Sequence, residues 1–308
     1  MNHPQRYRGI MTATCTPLDS SGNVVVATVK SHVKSQLAAG ITGIVPVGGT
    51  GEFVSLTEGQ RLAMVEATVE AVGGKVPVVA GVIHPGLQDA IKASKDYLRA
   101  GADSVMVVTP FYYRPTQQGI VDYFCRLNDA IDGDIVLYEI PYRTGVSLQP
   151  ETVQAIVEQT RTVAMKACNP DLNQQVRVVQ AVGQKISILS GEEGVFPVHI
   201  AMGAVGGMLA GSNILPHAWV RIFELAIRGD KDAAWQLHQR ILPATDAVYS
   251  EPNPAPLKAA LKLLGLDNGA VIEPMSPASD ACIERLRQVL PEALEVERHC
   301  ANTPSTNH

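Results

Sequence analysis

The most informative residue in this chain is a lysine that ends an apolar run. Lys166 closes Thr162-Val-Ala-Met-Lys166, so a strand there would deliver its amine to the strand's end. Desolvation at such a place disfavours an ammonium, and the neutral amine is the form that attacks a carbonyl. The imine that results is an electron sink, beside which C–C bonds form or break. The plainer alternative is a lysine whose head reaches back to water. Three neighbours weigh against it. Tyr138 closes the preceding apolar run, Asp134-Ile-Val-Leu-Tyr138, and a phenol there can relay protons to and from an imine. The turn Gly48-Gly-Thr-Gly-Glu52 lets backbone N–H groups face inward, and Thr50 adds a hydroxyl, a combination suited to a carboxylate. Arg143, in Tyr138-Glu-Ile-Pro-Tyr-Arg-Thr-Gly145, can hold a second carboxylate with its planar fork. Singly, these could be a rim tyrosine, a simple turn and a loop arginine. Together they point to a lysine-dependent (class I) aldolase or lyase acting on pyruvate or a related 2-oxo acid.

Other chemistries lack their residues. The glycine-rich turn has no Gly-Lys-Ser/Thr ending, so it is not a nucleotide P-loop. Thr16-Pro-Leu-Asp-Ser-Ser-Gly22, after the first apolar run, is not a dinucleotide fingerprint. The eight histidines show no His-x-His or His-x-x-x-His spacing, which disfavours a metal-dependent aldolase. No metal or cofactor is expected.

The elements that must position these residues are legible as eight short apolar runs. They are Gly9–Cys15, Gly43–Val47, Val76–Ala80, Ser104–Val108, Asp134–Tyr138, Thr162–Lys166, Ile186–Leu189 and Val205–Leu209. Amphipathic segments separate them. Thr57-Glu-Gly-Gln60 has the capping-box pattern ahead of Leu62, Val65, Val69 and Val72, and Pro150 suits the first position of a helix. Alternation of strand and helix implies parallel strands, and eight units imply a closed (β/α)8 TIM barrel, whose active-site face lies at the strand ends. After residue 216 only helical segments follow: 216–229, 231–250, 254–265 and 277–290. The expected division is a catalytic barrel over 1–228, a C-terminal helical region over 229–290 and a polar tail over 291–308.

Bulk properties agree with such a protein. Of 308 residues, 46% are hydrophobic but only 5% aromatic, so Ala, Val, Ile and Leu fill the core, as parallel strands require. A net charge of −5 without a basic run argues against a nucleic-acid partner. No stretch reaches the ~18 apolar residues of a membrane span, and Met1–Gly9 lacks the apolar core of a secretory signal. Five cysteines, an odd number without a Cys-x-x-Cys pair, suit free thiols in the cytoplasm.

These motifs resemble the dihydrodipicolinate synthase/N-acetylneuraminate lyase family of pyruvate-dependent aldolases, from about Gly9 to Ser279. The landmarks are Gly48–Glu52, Thr109-Pro-Phe-Tyr-Tyr-Arg-Pro115, Tyr138–Gly145, Met165-Lys166, Ser190-Gly-Glu-Glu193, Gly206–Leu209 and Asn253-Pro-Ala-Pro-Leu-Lys258. The resemblance makes Lys166 the Schiff-base lysine and Tyr138 the proton-transfer tyrosine. It places Gly49 and Thr50 on the pyruvate carboxylate and Met208 against pyruvate. Tyr112 falls on a tyrosine that reaches a neighbouring subunit's active site, and the implied assembly is a homotetramer, a dimer of dimers. Arg143 resembles the synthase subgroup, in which it holds the carboxylate of aspartate semialdehyde. The chain departs from that subgroup at three places. Gly49 stands where a threonine is usual, Ala167-Cys168-Asn169-Pro170 where a glutamate and small residues are usual, and the loop Tyr138-Glu-Ile-Pro-Tyr142 is bulkier than the common form. Glu58, Arg61, Pro85 and Phe111 replace the usual polar set of a lysine-feedback site. Two alternatives remain open. One is an aldolase or dehydratase for a 2-keto-3-deoxy sugar acid or related hydroxy-oxo acid; the other is a non-catalytic 2-oxo-acid-binding protein.

Overall fold

The computed structural model describes residues 6–303. Eight strands run in order through the chain: β1 (Gly9–Ala13), β2 (Gly43–Val45), β3 (Val79–Val82), β4 (Ser104–Val108), β5 (Asp134–Glu139), β6 (Thr162–Ala167), β7 (Ser187–Ser190) and β8 (Gly206–Leu209). All neighbouring pairs are parallel, in the order β2-β1-β8-β7-β6-β5-β4-β3. The ring closes between β2 and β3 through a parallel bridge of Ile44 with Val78 and a bond from Gly81 N to Pro46 O at 3.0 Å. Closure is tight. A Cβ on Gly81 would lie 2.6 Å from the Val47 carbonyl oxygen and 2.7 Å from Gly48 Cα, so only glycine fits. The expected (β/α)8 barrel is therefore observed.

Strand bounds differ from expectation mainly beside proline. The runs Gly43–Val47 and Val76–Ala80 become Gly43–Val45 and Val79–Val82, because Pro46 and Pro77 have no N–H to give a ladder. Side chains alternate along each strand. Met11, Val45, Met106, Val136, Ala164 and Leu189 fill the barrel's interior, while Ile10, Ile44, Val105 and Ile135 pack outward on the helices. The helix Glu58–Val72 starts on the capping box, with Thr57 N donating to Gln60 Oε1 at 2.8 Å, and ends on left-handed Gly73.

Beyond the last barrel helix, Pro216–Ile227, lie helices Lys231–Val248, Ala255–Leu263 and Asp280–Asn302. The last of these corrects the expected boundary at 290. Residues 291–302 are not a separate polar tail, since the helix continues through Pro291 with Leu286, Leu290, Ala293, Val296 and Cys300 on one buried face. The spacing of those residues carries an apolar stripe past the proline. Glu297 adds an electrostatic anchor. Its carboxylate accepts from the backbone N–H groups of His217 at 3.0 Å and Ala218 at 2.8 Å, at the N-terminus of Pro216–Ile227. The rest of the proposed tail, 304–308, lies outside the described residues. Among the described residues no helix is long and apolar enough to cross a membrane.

Candidate active site

A cavity of about 250 Å³ opens at the C-terminal ends of the strands. Lys166, the fifth residue of β6, lies directly across the ladder from Tyr138 of β5. This register puts both side chains on the same face. Lys166 is 8% exposed, and its Nζ stands 4.8 Å from the centroid of the Tyr138 ring. An aromatic face at this distance stabilises a cation, such as an ammonium or an iminium, by about 0.5–2 kcal/mol. Burial pushes the Tyr138 hydroxyl well above the usual phenol range, so it is held as a neutral O–H.

Gly191, just after β7, makes the space for this pair. A Cβ there would lie 2.1 Å from Cys168 Sγ and 2.9 Å from Lys166 Cε. Those two side chains occupy the volume that any other residue at 191 would need.

The Gly48–Glu52 turn forms another wall, with Gly49 and Thr50 on the cavity. Phe53 N and Gly51 N both donate to Gly48 O, at 3.2 and 3.1 Å, which curls the segment on itself. Val47 and Glu52 take φ values of 49° and 64°, a region costly for residues with a Cβ. The C-terminal helical region holds Glu52 there. Glu52 pairs with Lys258 at 2.5 Å, both buried, and accepts from Ile272 N at 2.9 Å. Asn253 donates its side-chain amide to Thr50 Oγ1 at 2.9 Å.

The third wall is the loop after β5. Buried Glu139 organises it by accepting from Leu148 N at 2.8 Å and from Asn169 Nδ2 at 3.0 Å. Burial pushes the Glu139 carboxyl up, against these bonds. The loop carries Tyr142 and Arg143, both exposed at the mouth and both on the cavity. Tyr142 donates to Glu192 Oε1 at 2.9 Å. Glu193 is fully buried below, accepting from Ala210 N at 2.6 Å, Gly211 N at 2.7 Å and the Tyr249 hydroxyl at 3.0 Å. This ties the loops after β7 and β8 to the helical region.

The structure thus brings together Lys166, Tyr138, Gly49, Thr50 and Arg143. Two expected site residues stand apart. Met208 is buried beneath the cavity in the barrel interior, clustered with Tyr138 and Leu189. Tyr112 is 82% exposed, with φ 78°, and lies edge-on to Tyr113 away from the cavity of its own chain. Cys168, Gly191, Tyr249 and Asn253 also line the cavity. Of these, Gly191 carried a signal that could have marked it, a glycine immediately after an apolar run.

The chain is similar along almost its whole length to proteins of one kind. The sequence profile of the Dihydrodipicolinate synthetase family matches residues 6–293. A 4-hydroxy-tetrahydrodipicolinate synthase of Sorangium cellulosum is 35% identical over 95% of this chain and 98% of its own. Among solved structures, the 4-hydroxy-tetrahydrodipicolinate synthase of Methylacidiphilum fumariolicum SolV superposes with a TM-score of 0.91 at 30% identity, covering 95% of this chain and 99% of that one. The dihydrodipicolinate synthase of Acinetobacter baumannii, solved as a chloride-inhibited form complexed with pyruvate, gives 0.89 at 28%, covering 93% and 98%. The fold, the profile match and these identities agree, and the chain belongs to the dihydrodipicolinate synthetase family.

Proposed function

We propose that this chain is a 4-hydroxy-tetrahydrodipicolinate synthase, a class I lyase that condenses pyruvate with aspartate semialdehyde through an imine on Lys166. The observation that carries the reading is the placement of Lys166 Nζ over the Tyr138 ring at the floor of the cavity. The amine attacks the ketone carbon of pyruvate, and loss of water gives the imine. Removal of a methyl proton turns the imine into an enamine. Its terminal carbon then attacks the aldehyde, and the aldehyde oxygen takes up a proton. Tyr138 stands where these proton transfers occur. Thr50 and the Gly49 backbone bind the pyruvate carboxylate, and Arg143 at the mouth binds that of the semialdehyde.

Met208 supports the site from beneath as packing for Tyr138. Tyr112 belongs to a contact with a second subunit in a homotetramer; its exposed ring on a left-handed backbone supports this role. Light scattering tests the assembly, and a monomer that keeps full activity contradicts it.

The substrate assignment is tested by comparing semialdehyde condensation with cleavage of a panel of 2-keto-3-deoxy sugar acids. Condensation should dominate in kcat/KM. Trace condensation alongside rapid cleavage of a sugar acid contradicts the synthase reading and leaves the imine chemistry in place.

A further inference from the structure

We propose that Asn253 is a positioning residue that fixes the Thr50 hydroxyl as a hydrogen-bond donor, and so selects a carboxylate over an uncharged group at the Gly48–Glu52 turn. The proposal rests on the reading of Thr50 as a ligand of the pyruvate carboxylate. It adds to that contact a direction, set by a residue from outside the barrel.

A threonine hydroxyl can donate one hydrogen bond and accept two, so by itself it suits an amide or an alcohol as well as a carboxylate. An ionised carboxylate only accepts. Thr50 carries the turn's one side-chain hydroxyl, since Gly48, Gly49 and Gly51 have none and Glu52 is committed to Lys258 and to Ile272 N. It is 6% exposed and lies on the cavity. Asn253, also on the cavity, donates from Nδ2 to Thr50 Oγ1 at 2.9 Å. An oxygen that accepts this bond keeps its own hydrogen for another partner. Among the described residues the Thr50 hydroxyl donates to no protein group, so that hydrogen is left for the cavity.

The Asn253 side chain holds nothing else. Its Oδ1 is buried without a hydrogen-bond partner, so the bond to Thr50 is the one this side chain makes among the described residues. The helical region is tied to the same turn independently, through Lys258 on Glu52 and the Ile272 N–H. Removing the Asn253 amide therefore frees the Thr50 hydroxyl to rotate while the turn stays anchored. A freed hydroxyl points away from the ligand part of the time. The amide also polarises the hydroxyl, since a group that accepts a hydrogen bond donates a stronger one. Both effects favour a carboxylate, whose charge strengthens the bond, over a neutral amide. Aspartate at position 253 would keep the shape and reverse the bond, because its carboxylate would take the Thr50 hydrogen for itself.

The test reads pyruvate binding through the imine. Enzyme is titrated with pyruvate and reduced with borohydride at each concentration, and the adduct is measured by mass spectrometry of the intact chain. N253A should raise the half-saturating pyruvate by roughly 3–10-fold, the net contribution of one hydrogen bond, and N253D should raise it further. Both should still reach one adduct per chain at saturation. In a T50V background N253A should add less than ~2-fold, because the hydroxyl on which it acts is gone. Pyruvamide, the uncharged analogue, should lose less than pyruvate in N253A. Wild-type half-saturation in N253A or N253D overturns the proposal. So does the same loss from N253A with and without the Thr50 hydroxyl, or an equal loss for pyruvate and pyruvamide. A ceiling below one adduct per chain in N253A marks a merely structural role and overturns it too. T50V binding pyruvate as the wild type does overturns instead the reading of Thr50 on which the proposal rests.

Discussion

The side-chain amide of Asn253 donates to the Thr50 hydroxyl at 2.9 Å, so a residue of the C-terminal helical region completes a turn that follows the second barrel strand. Five residues further on, Lys258 pairs with Glu52 at the other end of the same turn. The helical region is therefore part of the active site's framework, and it anchors Glu52, whose backbone is strained.

Removing one half of the buried pair should be severe. K258M leaves Glu52 as an uncompensated buried charge and should cost about 3–5 kcal/mol of stability in urea unfolding. The double variant K258M/E52Q should recover a large part of that loss. Equal losses in the single and double variants would show that the pair does not hold the turn.

Gly191 should tolerate no side chain. G191A places a methyl where Cys168 Sγ and Lys166 Cε already lie, so adduct formation with pyruvate should fall by about 100-fold or more. The far-UV circular dichroism should stay that of the native barrel. An alanine variant with wild-type adduct formation contradicts the packing described around Lys166.

Arg143 should act on the second substrate alone. Loss of a bidentate charged contact, worth about 1.5–3 kcal/mol, predicts a rise of ~10–100-fold in KM for aspartate semialdehyde in R143A. Pyruvate adduct formation should be unchanged. An effect on pyruvate KM alone would move Arg143 to the other carboxylate.

His199 should make stability fall with acid. Its Nδ1 lies 2.6 Å from Ser190 Oγ, and burial lowers its pKa from the usual 6.5 to about 4. The folded state thus favours neutral imidazole, and the unfolded state binds the extra proton between these values. The contribution is fully present above about 6.5 and is lost as pH falls toward 4, on the order of 3 kcal/mol in all. Buried Glu139 and Glu193, whose carboxyls are pushed up, work in the opposite direction. Comparing the urea stability of wild type and H199Q across pH 4–7 isolates the histidine. Parallel curves would contradict the assignment.

Lysine should not inhibit. Arg61 is buried, donating to Phe53 O at 3.0 Å and Leu56 O at 2.9 Å with its guanidinium 4.4 Å from the Phe53 ring centroid. A fixed cation there opposes a second one, and Pro85 and Phe111 supply no polar side chain. Strong inhibition by millimolar lysine contradicts this.

What could be read from sequence was what is local. The strand Ser104–Val108 and the capping box at Thr57 follow from neighbours along the chain, and both are observed with the expected bounds. Lys166 and Tyr138 were legible because each ends an apolar run, and adjacent strands carry them to the same place. The helix beyond Pro291 was not, because a polar composition hid the stripe that buries Ala293, Val296 and Cys300. Asn253 and Lys258 reach Thr50 and Glu52 over about two hundred residues and Tyr249 reaches Glu193 over 56, and no periodicity records such contacts. Cys168 showed in sequence only as a departure from a motif. Its place on the cavity wall beside Lys166 depends on the space left at Gly191, which only the folded barrel defines.

The most direct measurement is reduction with borohydride in the presence of pyruvate, followed by mass spectrometry of the digested protein. One reduced pyruvyl group should be found per chain, on Lys166, and K166A should carry none. No adduct in the wild type, or an adduct on another lysine that persists in K166A, would contradict the account.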